Sequence, residues 1–159
     1  MRKQRGFSLV ELLIVVAIIL IICAIAIPNM FRAKISANES SAAASLRTIN
    51  SAEITYLSSY PTVGYSADLP SLAGNSCSAP TSAAACIIDN TLAQATSAST
   101  PKTGYYFTYA PSATTGYTVN ADPAYWNQSG TKHFYTDSSG VIRYNSSNQS
   151  ASATDPIIQ

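Results

Sequence analysis

Twenty consecutive residues, Leu12–Phe31, carry no charge, and from Leu12 to Ile27 the sole polar side chain is the thiol of Cys23. An uncharged stretch of that length makes about 30 Å of α-helix, the thickness of a bilayer's hydrocarbon. Such a segment must be covered by lipid or by other apolar surface. Arg2, Lys3 and Arg5 precede it. That basic end is expected to stay cytoplasmic and the rest of the chain to lie outside. A secretory signal peptide also begins with a basic region and an apolar core, and Ala24-Ile25-Ala26 loosely fits its small-x-small cleavage site. A retained anchor is the better reading, because the run is long for a signal core and the residues after Pro28 continue as a helix.

Glu11 stands at the start of this apolar segment. A carboxylate costs on the order of 2–3 kcal/mol near the bilayer centre and less near an interface. Either Glu11 reaches the headgroups, or it awaits a positive partner inside an assembly. An intramembrane charge favours the second reading.

Composition narrows the function. Charged residues make up 11 % of the 159-residue chain, against about 25 % in an average soluble domain. A net charge of +1 excludes a strongly basic nucleic-acid binder, and no basic patch supports DNA binding. One histidine and three cysteines argue against a zinc cluster. The sequence holds no nucleophile–base–acid set, phosphate loop or metal-ligand spacing. It is not read as an enzyme, and no cofactor is expected.

Beyond Pro28 the pattern becomes amphipathic. Ile35, Ala42, Leu46, Ile49 and Tyr56 share one helical face, while Arg32, Lys34, Glu39 and Arg47 lie off it. One helix is predicted from about Ser8 to Ser59, with its second half burying this stripe against a sheet. Residues 61–100 read as loop, with a short helix over Cys86–Ala95. Strand signals follow at Tyr105–Tyr109, Gly116–Asn120, Lys132–Thr136 and Val141–Tyr144, separated by turn residues. Short connections favour an antiparallel meander, giving an α+β fold with a small sheet head.

Cys77 and Cys86 fall in the part expected outside, where a disulfide is the default. Cys23 reads as a small buried hydrophobe. His133 is alone in a strand and carries no catalytic expectation. Asp122 and Asp137 are placed in turns. Asn38, Asn127, Asn145 and Asn148 each open an N-x-[ST] triplet, which chance explains in so Asn/Ser-rich a chain.

Arg5-Gly6-Phe7-Ser8-Leu9-Val10-Glu11-Leu12-Leu13-Ile14-Val15-Val16-Ala17-Ile18-Ile19 resembles the amino-terminal signature of type IV pilins and pseudopilins. The match covers about the first 35 residues; the remainder agrees in layout more than in motif. The resemblance implies a pilin-like fold. It implies cleavage between Gly6 and Phe7 by a prepilin peptidase, and N-methylation of the new amino terminus at Phe7. A glycine before the cut lets the backbone lie close in a protease site. Losing the leader removes three of nine cations and leaves six against eight acids. Glu11 is implied to pair with the Phe7 amine of a neighbouring subunit. That pair acts as a register check, since one buried charge left alone is heavily penalised. Some pseudopilins bind calcium through carboxy-terminal loops, but the acids here are isolated. A disulfide near the carboxy terminus is common in relatives; Cys77 and Cys86 lie mid-chain, so that correspondence is not assumed.

The expected organisation is a removed leader (1–6), a membrane and assembly half-helix (7–31), an amphipathic half-helix (32–60), and a linking loop with sheet head (61–159). The expected precursor crosses the inner membrane once, and the mature subunit joins an extracellular filament. Its partners would be copies of itself, the peptidase, an inner-membrane assembly platform and, before assembly, the membrane. The leading function is a type IV pilus subunit serving adhesion, twitching movement or DNA uptake. The alternative is a pseudopilin of a type II secretion system, forming a short periplasmic filament. A membrane-anchored binding module is the reading from a different class.

Many relatives carry a glycine mid-run where this chain has Leu20. Pro28, which lacks a backbone donor, is expected to kink the helix. With no glycine before it, helix melting over Leu20–Pro28 in a filament is expected to be short or absent. A filament map with an extended stretch across those residues would contradict this.

Overall fold

The computed structural model describes residues 7–75, 77–112 and 116–158. The leader segment 1–6 lies outside the described residues, and Gly6 with it. The chain forms two compact units, Met1–Lys34 and Ile35–Gln159. The architecture is α+β and pilin-like: a long apolar helix, then a four-stranded antiparallel sheet.

Helix α1 runs Leu9–Ser59 and includes Pro28. Pro28 withholds one backbone donor, and next to it Asn29 adds a side-chain bond, Nδ2 to the Ile25 carbonyl at 3.2 Å. In the first unit the apolar side chains of the helix are exposed, from Leu9 at 74 % to Phe31 at 61 %. That much contiguous apolar surface marks a segment built for lipid or for protein partners.

In the second unit the predicted stripe is the buried one. Ala42, Leu46, Ile49 and Tyr56 are almost fully enclosed, and Ile35 is half-buried. Four polar residues share their burial: Asn38, Ser45, Asn50 and Glu53. Asn50 accepts from the Tyr117 hydroxyl at 2.9 Å and donates to Thr136 Oγ1 at 3.0 Å. Glu53 accepts from the Ser66 backbone N–H at 3.1 Å and from Ser66 Oγ at 2.5 Å. Asn38 donates to the Ser129 carbonyl at 2.8 Å, so its triplet is used structurally. On the outer side of the same helical stretch, hydroxyls turn inward. Ser40, Thr48, Thr55, Ser58 and Ser59 each donate to the carbonyl four residues back, satisfying themselves on the helix.

The sheet is an antiparallel meander in the order β1 (Tyr105–Ser112), β2 (Gly116–Pro123), β3 (His133–Asp137), β4 (Arg143–Asn145). Tyr105 pairs with Pro123, Phe107 with Ala121 and Tyr109 with Val119. Ala121 pairs in turn with Phe134. Alternation puts these residues on one face, and the core is built there with Leu69, Leu72 and Leu92. The tail lies along the other side of β4, where the Tyr144 N–H donates to the Pro156 carbonyl and Ile158 N–H to that of Ile142.

Two local expectations are corrected. The helix predicted over Cys86–Ala95 shrinks to α2, Asn90–Ala93, capped by Asp89 accepting from the Leu92 N–H. Cys86 has φ +56, which a right-handed helix cannot hold, and the Ile87 and Ile88 N–H groups bond to the Leu72 carbonyl instead. Asp122 is not a turn residue; β2 extends to Pro123 and buries it.

Burial pushes the hydroxyls of Tyr105, Tyr109 and Tyr117 well above their usual 10.0. Nearby carboxylates act the same way, Glu39 on Tyr105 and Glu53 on Tyr109 and Tyr117; the Tyr109 bond to Ser66 opposes it. In the unfolded chain these tyrosines ionise near 10, so above that pH the folded state holds more protons than the unfolded one. Their contribution is whole below pH 10 and is lost as pH rises beyond it. Denaturant unfolding of the full chain in detergent should give a steady midpoint up to pH 10 and a falling one above. A midpoint unchanged across that range would contradict the burial argument.

Candidate functional site

The amino-terminal end of α1 gathers the residues singled out for processing and assembly. Phe7 is 83 % exposed and, with Ser8, precedes the helix. The Ser8 carbonyl accepts from the Leu12 N–H at 3.2 Å, so Ser8 occupies the cap position. Its own N–H donates to Glu11 Oε2 at 2.9 Å. A carboxylate in the first turn reaching back to the cap's N–H is half of a capping box, and it faces the positive end of the helix dipole. The signal was present in the sequence as Ser8-x-x-Glu11. Set at the head of an apolar run, that spacing is overshadowed by the lone charge of Glu11.

This geometry brings Glu11 to the backbone one residue beyond Phe7, which puts the carboxylate within a turn of the bond implied to be cut. Chemically it can accept hydrogen bonds from backbone N–H groups or balance an ammonium. Cys23 is half-buried and unpaired. Pro28 sits seventeen positions beyond Glu11, inside the same helix.

In the second unit, Cys77 and Cys86 form the expected disulfide. It fits tightly beside Gly74, where an added Cβ would lie 2.5 Å from Cys86 Sγ. The bond closes a loop whose Ser82 carbonyl accepts from the Tyr56 hydroxyl at 2.7 Å. The covalent clip closes the loop on itself, and the Tyr56 hydrogen bond ties that loop to α1.

His133 is buried on β3, and its Nδ1 lies 2.5 Å from Asp122 Oδ1. Asp122 also accepts from Ser150 Oγ at 3.1 Å, and the Trp126 ring stacks on the imidazole at 5.0 Å. The pair ties the Trp126 loop and the tail to the sheet. Nε2 is enclosed and, among the described residues, has no hydrogen-bond partner. Asp137, expected in a turn, is the last residue of β3 and pairs with Thr118; it accepts from the Ser139 N–H of the following turn at 2.9 Å. Among the described residues no three His, Cys, Asp or Glu side chains gather as a metal site would need.

Residues 1–27 match the family model for the prokaryotic N-terminal methylation motif. The chain is similar to the type IV major pilin protein PilA of Myxococcus xanthus, 43 % identical over 56 residues, which is 35 % of this chain and 26 % of that protein. It is also similar to a type IV wide pilus major component of Thermus thermophilus, 54 % identical over 39 residues, 24 % of this chain and 30 % of that protein. The aligned segments thus span under a third of the length of these relatives. No solved structure matches the chain significantly. In motif and architecture the chain is type IV pilin-like.

The family model ends at Ile27, so the head's stability is tested on its own terms. Replacing Cys77 and Cys86 together by alanine should cost roughly 2–3 kcal/mol. Thermal unfolding of the full chain in detergent, with and without reductant, measures this. An equal melting temperature in all three samples would show that the clip constrains nothing.

Proposed function

We propose that this chain is a structural subunit of a type IV pilus, and not an enzyme. The observation that carries the reading is the continuity of the methylation motif, residues 1–27, with a helix whose apolar side chains are exposed throughout the first unit. A motif read by a processing enzyme directs maturation; an uncovered apolar helix calls for lipid first and other helices afterwards.

The peptidase cuts between Gly6 and Phe7 and methylates the Phe7 amine. The precursor crosses the inner membrane once, with its basic end cytoplasmic, and the subunit then passes from an assembly platform into an extracellular filament. Within the filament the apolar helices pack side by side and the heads form the outer surface. Glu11 supplies the one negative charge between Phe7 and Phe31, and a neighbour's Phe7 ammonium supplies its counter-charge. In low dielectric an unpaired carboxylate is strongly penalised, so the pair admits only subunits seated at the correct depth. Similarity to the major pilins of Myxococcus xanthus and Thermus thermophilus supports the reading as a pilin-like subunit. Residues 7–31 are the membrane and assembly half, 32–60 the amphipathic half, and 61–159 the linking loop and head.

Glu11→Ala should abolish surface filaments while leaving membrane insertion intact, and Glu11→Gln should impair them severely. Sheared filaments examined by electron microscopy, with membrane fractions probed in parallel, give the readout. Mass spectrometry of the filament subunit should find N-methylated Phe7 as the first residue. Filaments of normal yield from Glu11→Ala, or a different mature amino terminus, would sink the proposal.

A further inference from the structure

The outer end of the apolar segment points to a second membrane contact. We propose that Arg32 and Lys34 form a cationic collar that binds the phosphates of anionic lipids at the outer face of the membrane. The inference rests on reading Leu12–Phe31 as the membrane-spanning part of α1.

Both side chains are exposed. Among the described residues neither has an ion-pair or hydrogen-bond partner. The nearest acid beyond them, Glu39, is already engaged: it accepts from the Thr131 N–H and hydroxyl and lies 3.3 Å from Lys132. No acid on this helix competes with lipid for the two cations. Phe31 immediately before them is 61 % exposed. An aromatic ring followed by two long cations is the arrangement that settles at a headgroup layer. The ring sits at the boundary, while the guanidinium and ammonium reach outward on apolar stems.

The spacing agrees. Glu11 and Arg32 are 21 residues apart, about 31 Å along a helix, which matches a hydrocarbon core of about 30 Å. When Arg32 stands at the outer boundary of the hydrocarbon, Glu11 stands at the inner one, and both side chains reach the headgroups without a charge being forced into hydrocarbon.

Maturation then inverts the charge balance of the segment. The precursor's inner end carries Arg2, Lys3 and Arg5 against Glu11, and its outer end carries Arg32 and Lys34. Removing residues 1–6 leaves one ammonium and one carboxylate inside, which cancel. The outer pair becomes the segment's whole net charge. Because each cation near an anionic surface is attracted to it, the processed subunit is held in the membrane from its outer end. Departure into a filament has to break those phosphate contacts.

The test uses the full chain with Cys23→Ala and a nitroxide spin label on Ala33→Cys, reconstituted into vesicles of phosphatidylglycerol and phosphatidylcholine. Accessibility to a neutral nickel chelate relative to oxygen reports the depth of the label. Adding Arg32→Gln and Lys34→Gln should let this end sink, cutting nickel accessibility by more than half. Arg32→Lys with Lys34→Arg should keep the original value. In pure phosphatidylcholine the unaltered pair should give the neutralised variant's value. Equal nickel accessibility in the charged and neutralised chains would overturn the collar. A label on the native Cys23 separates the two readings. If it is as open to nickel as to oxygen, the membrane span itself fails. If it is shielded while the Ala33 label is indifferent to the substitutions, the collar alone fails.

Discussion

The head depends on how one face of α1 is buried. Leu46, Ile49 and Tyr56 supply the apolar part of that face, and Asn50 and Glu53 are interleaved with them. Glu53 is fully enclosed, and its oxygens are met by the Ser66 N–H and hydroxyl. Hydrogen bonds of this kind add little net stability, but leaving a buried donor or acceptor alone is expensive. The helix therefore has one register on the sheet. A slide by one turn would keep much of the apolar contact and strand both Asn50 and Glu53. Apolar burial gives the head its stability, and these two residues make its docking unique.

The two units of the chain answer to different surroundings. In the second, Ser, Thr, Asn and Tyr side chains find partners inside the protein and hold loops to the sheet, as Asp122 and His133 do with the tail. In the first, the helix satisfies its backbone alone and leaves its apolar side chains uncovered. Glu11 belongs to both demands at once. Within its own chain it caps the helix through the Ser8 N–H. On the proposed assembly path the same carboxylate turns to a neighbour's amine, exchanging a neutral donor for a charged one.

Much of this was legible from residue order alone. The apolar run, the stripe Ala42, Leu46, Ile49 and Tyr56, the meander and the Cys77–Cys86 pair all follow from periodicity, turn chemistry or compartment. What escaped notice was the polar content of the buried face. Asn50 and Glu53 lie four residues after Leu46 and Ile49, on the stripe by spacing. Spacing alone does not mark them as buried, because their partners, Tyr117, Thr136 and Ser66, are remote in sequence. Asp122 was misplaced for the same reason: what makes an aspartate tolerable mid-strand is a histidine eleven residues away. The short α2 failed on backbone grounds. The segment Cys86–Ile88 is drawn to the Leu72 carbonyl by bonds that helical periodicity does not reveal.

The hydroxyls on the outer side of α1 have a consequence of their own. Ser40, Thr48, Thr55, Ser58 and Ser59 spend their protons on carbonyls of their own helix. A face rich in hydroxyls would ordinarily offer water both donors and acceptors, yet these five residues have spent their donors and keep only acceptor lone pairs. Drying such a face strands few donors. A partner laid against this face would meet acceptor oxygens and aliphatic carbon, and would find few free donors to satisfy.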